Sequence, residues 1–375
     1  MKIAILESII MPAGHEVEFD RIIIDELKKQ GHEPVFFVPE EFTFKLDYGI
    51  PVEYLTGGPV VTYAGAPKWK KPFLSILREK RRRAWFNAAY KKLLEGSYDA
   101  LIIPTATYRY IKAILGTDLK NSPVPIHIIF HGIGAGESAR FHKQAERVLP
   151  YKNIYLNVLT LRDDVARLDL PNVHIQVPPV FLPHVNPTSV ASLHREGITL
   201  GFFGQFRKEK QIGRFLDAFV SAKFSTKVTL LVQGATTTPE DSQLFEDMIR
   251  EYGGHDTLRF MHKNLIGDEW DKALLSVDAL MLPYGAERYR YHWAAMLFTA
   301  IGFRKPVLIS PEINPEVLEK YGIGKQIDLS TVDTIRRDME AFVDDLAKHK
   351  EKYENALETA NVEYGHTNFI VNLLK

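Results

Sequence analysis

Residues 201–210 read GFFGQFRKEK, an apolar run that passes abruptly into two glycines and three cations, Arg207, Lys208 and Lys210. Where a buried strand hands over to a helix, the loop presents unused N–H groups and the positive end of the helix dipole to an anion. Gly204 lets the backbone come close to a ligand, Arg207 is able to pair two hydrogen bonds with a phosphate, and Lys210 adds a point charge. The stretch therefore has the chemistry of a diphosphate cradle, although the same residues also describe a solvated charged loop. It is not a Walker loop, because no Ser or Thr follows the lysine in frame, and it lacks G-x-G-x-x-G. A P-loop ATPase and a nicotinamide enzyme are disfavoured.

Two further groups carry chemistry. His131 ends an apolar run in IHIIFHGIGAGE, a strand end beside three glycines, where a histidine serves either catalysis or packing. Residues 67–93, PKWKKPFLSILREKRRRAWFNAAYKKL, hold ten cations against the single Glu79. Lys70, Lys71, Lys80, Arg81, Arg82 and Arg83 alternate there with Trp69, Phe73, Leu77, Trp85 and Phe86. Cations and aromatics on one helix describe an interfacial membrane binder, the alternative being a solvated helix that packs its apolar side on its own sheet.

These residues need elements to hold them. KIAILES, EPVFFVP, DALIIPT, IHIIFHG and IYLNVLT are short apolar runs separated by amphipathic stretches, which predicts parallel strands alternating with helices. The same grammar restarts with ITLGFFG and continues through KVTLLVQG, TLRFMHK, ALMLPY and PVLIS. The expectation is an α/β chain of two Rossmann-like domains in tandem. The first covers 1–182, a proline-containing linker 183–197, the second 198–355, and a C-terminal helix 356–375.

Composition limits the rest. Lys plus Arg and Asp plus Glu each number 47 in 375 residues, so no overall field draws the chain to nucleic acid, and none is expected as a partner. Cysteine is absent, which removes disulfides and thiolate chemistry. The apolar start is broken by Glu7 and lacks the plan of a signal peptide, and no run reaches the length of a membrane span.

The loop GFFGQFRKEKQIGRFLDAF resembles the segment that opens the C-terminal domain of GT-B glycosyltransferases of the large glycogen-synthase-like group, which carries G-R-x-x-x-E-K-G. Glu209 and Lys210 match the Glu-Lys pair, while Gln205 stands at the arginine position and Arg207 lies two residues on. A second stretch, LLSVDALMLPYGAERYRYHWAAMLFTAIGFRKPVLIS, is similar to the family's A-D-x-x-x-x-P-S-x-x-E and E-A-M-A-x-G-x-P-V. It puts Tyr284 and Glu287 at the donor, and Thr299 where the family glutamate meets the ribose.

The resemblance implies two Rossmann-like domains facing a cleft, with Gly204, Arg207, Lys210, Tyr284, Glu287 and Thr299 on a nucleotide-sugar donor. It puts His131 near the donor sugar and makes Gly14, in MPAGHEVEF, part of an acceptor-facing loop. An inverting reaction needs a base on that side, and His15, Glu16, Glu18 and Asp20 are the candidates; a retaining one does not. With no D-x-D, neither a metal nor any other cofactor is expected. The implied function is sugar transfer to a glycan or lipid-linked acceptor in envelope polysaccharide synthesis, at the inner, anionic membrane face of the cytoplasm. A nucleotide-sugar epimerase and a non-catalytic glycan- or partner-binding subunit on the same fold are the alternatives.

Overall fold

The computed structural model describes residues 1–9, 16–44, 46–63, 66–162, 164, 170–186, 197–207, 210, 212–285 and 287–375, with only the backbone of 287 and 288. They form two compact units: Met1–Pro178 with Tyr291–Trp293 and His366–Lys375, and Pro179–Arg290 with Ala294–Gly365. His15 and Gly14 lie outside the described residues, as do Lys208 and Glu209.

The N-terminal unit is built on β1 (Lys2–Leu6), α1 (Glu16–Lys29), β2 (Glu33–Pro39), β3 (Val52–Leu55), α2 (Lys71–Glu95), β4 (Ala100–Ile103), α3 (Tyr108–Leu115), β5 (Ile126–Phe130), α4 (Ala135–Val148), β6 (Ile154–Leu159) and β7 (Val173–Gln176). Its sheet runs β3-β2-β1-β4-β5-β6-β7, with every neighbouring pair parallel. Strands such as β4 and β5 are buried along their whole length, as continuous apolar runs must be when helices cover both faces. One face packs on the apolar sides of α2, α3 and α4.

The C-terminal unit repeats the plan with β8 (Ile198–Phe202), α5 (Ile212–Ser221), β9 (Val228–Gly234), α6 (Pro239–Tyr252), β10 (Leu258–His262), α7 (Asp268–Leu275), β11 (Ala279–Leu282), α8 (Ala295–Gly302), β12 (Val307–Ile309), α9 (Pro315–Tyr321), β13 (Gly324–Gln326), α10 (Val332–Lys348) and α11 (Lys350–Glu363). Its parallel order is β10-β9-β8-β11-β12-β13. Both sheets therefore reverse their winding beside their first strand, between β1 and β4 and between β8 and β11. That reversal leaves a crevice beyond the carboxyl ends of those strands, where ligands of open α/β sheets bind.

The division differs from the expected boundaries at two places. Val180 and Phe181 are buried in the C-terminal unit, donating to the carbonyls of Tyr364 (3.0 Å) and Phe298 (3.4 Å), so the chain has left the first unit before residue 182. The Asp271 carboxylate takes the His184 N–H at 2.6 Å, so the start of the proline-containing stretch is anchored. The expected helix from 356 is two helices. Helix α11 ends before Gly365, and only α12 (His366–Leu373) belongs to the N-terminal unit, where Thr367 donates to Glu26 at 2.8 Å.

Candidate active site

In the C-terminal unit the loop after β8 is pinned rather than free. Gly204 has φ of +109°, a conformation that other residues adopt only with strain. Its N–H donates to Oε1 of buried Gln233 (2.8 Å), and its carbonyl accepts from Ala235 N–H (3.1 Å). Gln233 also donates to the Lys263 carbonyl, so one amide ties the loops after β8 and β10 together. Arg207 donates to Gln205 (2.8 Å), which in turn donates to Thr237 (3.0 Å). The glutamine at the family's arginine position thus orients the arginine two residues on.

Lys210 is only 8 % exposed. Its Nζ lies 4.3 Å from the centre of the Tyr284 ring and 5.3 Å from that of Phe202, and an aromatic face favours the charge. Lys210, Tyr284 and Arg214 line a cleft of about 580 Å³ together with Gly285 and Glu312. Gly285 and Glu312 are in close approach: a Cβ on Gly285 would come within 2.2 Å of the Glu312 carboxylate and would push that side chain aside. Glu312 was not among the expected residues, because it follows β12 in a turn without a motif.

One expectation in this unit changes. Thr299 is buried and gives its hydroxyl proton to the Ala295 carbonyl (2.9 Å) inside α8, so it does not offer a donor to a ribose. Glu287 begins a short 3-10 turn, and its side chain lies outside the described residues. Arg207 is half-buried and is not part of the cleft lining.

In the N-terminal unit the crevice beside β1 holds three carboxyls. Glu7, 2 % exposed, accepts the Ser8 and Ile9 N–H groups on Oε1 at 2.5 Å each, while its Oε2 is buried without a partner among the described residues. One oxygen each of Glu16 and Asp20 is in the same condition. Burial pushes the Glu7 carboxyl up to about 8, against its two N–H bonds and with a smaller push from Glu16. Asp20 is raised well above the usual carboxylate range, by burial first and then by Glu7 and Glu16. Glu18, by contrast, pairs with Arg21 at 3.4 Å on the first turns of α1. Glu7 was legible only as a charge that breaks an apolar run.

His131 follows β5 on the same edge. Its Nε2–H donates to the Pro104 carbonyl (2.9 Å), and its ring meets Phe19 (4.6 Å) and Trp293 (5.3 Å) edge to face. The imidazole is therefore held in one orientation, with the Nε2 proton committed.

The basic helix divides lengthwise. Trp69, Phe73 and Ile76 are 67 %, 69 % and 70 % exposed, with Leu77 beside them and Lys70, Lys71 and Lys80 also exposed. Trp85, expected at a membrane, is instead buried and donates to the Gly58 carbonyl (2.9 Å). Arg82 is buried too, paired with Glu79 at 2.7 Å and lying over the Tyr110 ring. Arg81 donates to the Pro59 carbonyl, and Arg83 reaches Glu79 at 3.5 Å. The reason is position along the helix: none of residues 71–81 is buried, while in the second half one helical face, residues 82, 85, 86, 89 and 93, packs on the sheet.

No family model matches the chain, and no curated sequence does. Its structure is similar to those of glycosyltransferases with the GT-B fold, and that fold is the one this chain has. Sucrose-phosphate synthase from Thermosynechococcus elongatus matches at a TM-score of 0.69 and 14 % identity, over 99 % of this chain and 97 % of its own. Anabaena HepE, solved with UDP and glucose, matches at 0.64 and 13 % over 100 % and 97 %. The UDP-forming α,α-trehalose-phosphate synthase from Burkholderia xenovorans, solved with glucose-6-phosphate, matches at 0.66 and 10 % over 100 % of both chains.

Proposed function

We propose that the chain is a glycosyltransferase that takes a sugar from a nucleoside diphosphate held in the C-terminal unit and passes it, without a metal, to a glycan or lipid-linked acceptor. The buried Lys210, lining a cleft at the winding reversal and carried on the loop that the positive-φ Gly204 opens, carries this reading. A leaving diphosphate gains charge as the sugar departs, and a fixed cation with oriented N–H groups stabilises that charge more than it stabilises the bound donor. HepE, of the same fold, was solved with UDP, so uridine donors come first in any test. On the acceptor side, Glu7 or Asp20 in its charged form is the base that an inverting reaction would use.

Thermal stabilisation by a panel of nucleotide sugars tests the reading, since a true donor stabilises by mass action. The expected result is a rise in melting temperature with one nucleotide class, and release of nucleoside diphosphate only when acceptor is added. Release without acceptor dependence, or conversion of the donor to an epimer, would favour the other enzymes on this fold. No stabilisation by any nucleotide sugar rules the proposal out.

The reading extends to envelope polysaccharide synthesis at the inner membrane face. Its support is the exposed stripe of Trp69, Phe73, Ile76 and Leu77 flanked by Lys70, Lys71 and Lys80. Each cation near an anionic surface contributes about 1 kcal/mol, and aromatics settle at the headgroup level. No helix among the described residues is long and apolar enough to cross a membrane. Sedimentation with anionic vesicles that weakens steeply with salt is the expected behaviour; indifference to lipid charge refutes this extension.

A further inference from the structure

A second group of cations lies at the carboxyl edge of the N-terminal sheet. Arg109 is in the first turn of α3, just beyond β4, and Arg140 is in α4, just beyond β5. Each guanidinium carbon is 5.9 Å from the centre of the same ring, that of Tyr108. Two exposed arginines from different helices are thus gathered over one phenol. Among the described residues neither forms an ion pair with a carboxylate. Glu79 is engaged by Arg82 and Arg83, and Glu137, a turn before Arg140, pairs with neither. Arg78 adds a third charge, lying 5.5 Å over Tyr63.

Gathering like charges costs energy unless something negative joins them. The surroundings suit an anion. Helix α3 has no acid in its first turn and its N-cap Thr107 makes no side-chain capping bond; the Tyr110 N–H turns back to the Thr107 carbonyl (2.8 Å), which leaves the N–H groups of Tyr108 and Arg109 at the helix start. Thr105, two residues earlier, has a buried hydroxyl without a partner. The two arginines pull the Tyr108 phenol below its usual range, Arg109 more than Arg140. The place is also specific. Pro104, three residues before Thr107, accepts the His131 bond, so this cluster and the candidate catalytic histidine share one edge.

We propose that Arg109 and Arg140, with the start of α3, bind a phosphate group carried by the acceptor. This rests on the glycosyltransferase reading for the word acceptor, while the anion site itself does not. A planar guanidinium matches a phosphate with two parallel bonds, and two of them from separate helices fix its position as well as its charge. The phosphate belongs either to a soluble sugar phosphate or to the head of a lipid.

The test uses the full-length chain and binding measurements that need no turnover. Calorimetry with glucose 6-phosphate, with glucose as control, covers the soluble source. Sedimentation with phosphatidylcholine vesicles, with and without phosphatidic acid, covers the lipid source. Arg109→Gln/Arg140→Gln is expected to weaken whichever phosphate binds by at least tenfold, Arg109→Lys/Arg140→Lys by less, with unaltered melting temperatures. Nucleoside diphosphate affinity, read by calorimetry, should stay unchanged in both and fall in Lys210→Ala. Binding of neither phosphate by the wild type, or loss of phosphate binding in Lys210→Ala but not in the double glutamine variant, overturns the site. Failure of every nucleotide sugar to bind, with phosphate binding intact and Arg-dependent, would instead sink the transferase reading alone.

Discussion

Glu7 sits where a carboxylate is hardest to keep charged, and this has a measurable sign. Its folded value of about 8 lies above the 4.5 of the unfolded chain, so between those values the folded protein holds a proton that the unfolded chain has released. Its contribution is fully present below about pH 4.5 and is lost as pH rises through 8. Asp20 shifts in the same direction. Melting temperature should therefore fall from pH 5 to pH 8.5, and Glu7→Gln should flatten that slope and melt a few degrees higher than the wild type at pH 8. A Gln variant with the wild-type slope would show that Glu7 is charged throughout. Lys210→Ala should cost nucleoside diphosphate affinity about 1.5–3 kcal/mol, the range for a desolvated charge-assisted bond; calorimetry decides. His131→Ala should reduce kcat while sparing donor affinity, because a group near the reacting sugar acts mainly in the transition state. Gly204 and Lys210 were legible because the loop between a strand and a helix has a recognisable composition. Glu7 was not, since a single charge after an apolar run reads as the end of a strand, and only the fold shows that this end is buried.

At the scale of elements, what the sequence disclosed followed burial. Strands covered on both faces, such as β4 and β11, stand out as unbroken apolar runs. The strands without a sequence signature are β3, β7 and β13, all at sheet edges and half-exposed, because VEYL, VHIQ and GKQ are three or four residues long and too short to set a pattern. Helix α2 was legible as a helix, but its phase was not, because Arg82 and Trp85 look like their exposed neighbours until the sheet beneath them is known. The two ends of α2 should respond differently to substitution. Trp85→Ala should destabilise the fold by about 3–5 kcal/mol, as a large aromatic leaving a filled core does. Phe73→Ser/Ile76→Ser should leave denaturant stability within about 0.5 kcal/mol of the wild type and remove vesicle binding. Equal losses of stability in the two variants would mean that the exposed stripe has a protein partner within the fold.

At the scale of the whole molecule, two Rossmann-like units in tandem were readable from the restart of the strand grammar near Ile198, but the chain's return was not. A glycine between two helical stretches reads as a bend and not as a change of unit, yet Gly365, between charged α11 and uncharged α12, is the point at which the chain changes units. Helix α12 buries Phe369, Ile370 and Leu373, and Phe369 rests 5.9 Å from Phe19, the ring that meets His131. Removing residues 366–375 should therefore lower turnover and the stability of the N-terminal unit, yet leave nucleotide binding by the C-terminal unit intact. Normal turnover in the truncated chain would contradict that support. The same arrangement governs the order of assembly on the ribosome. Some 190 residues separate β7 from α12, which at roughly 5–20 residues per second is on the order of ten to forty seconds of translation. Throughout that interval α1 waits with an uncovered apolar face that a chaperone can hold, and the clamp around His131 stays incomplete until α12 has emerged.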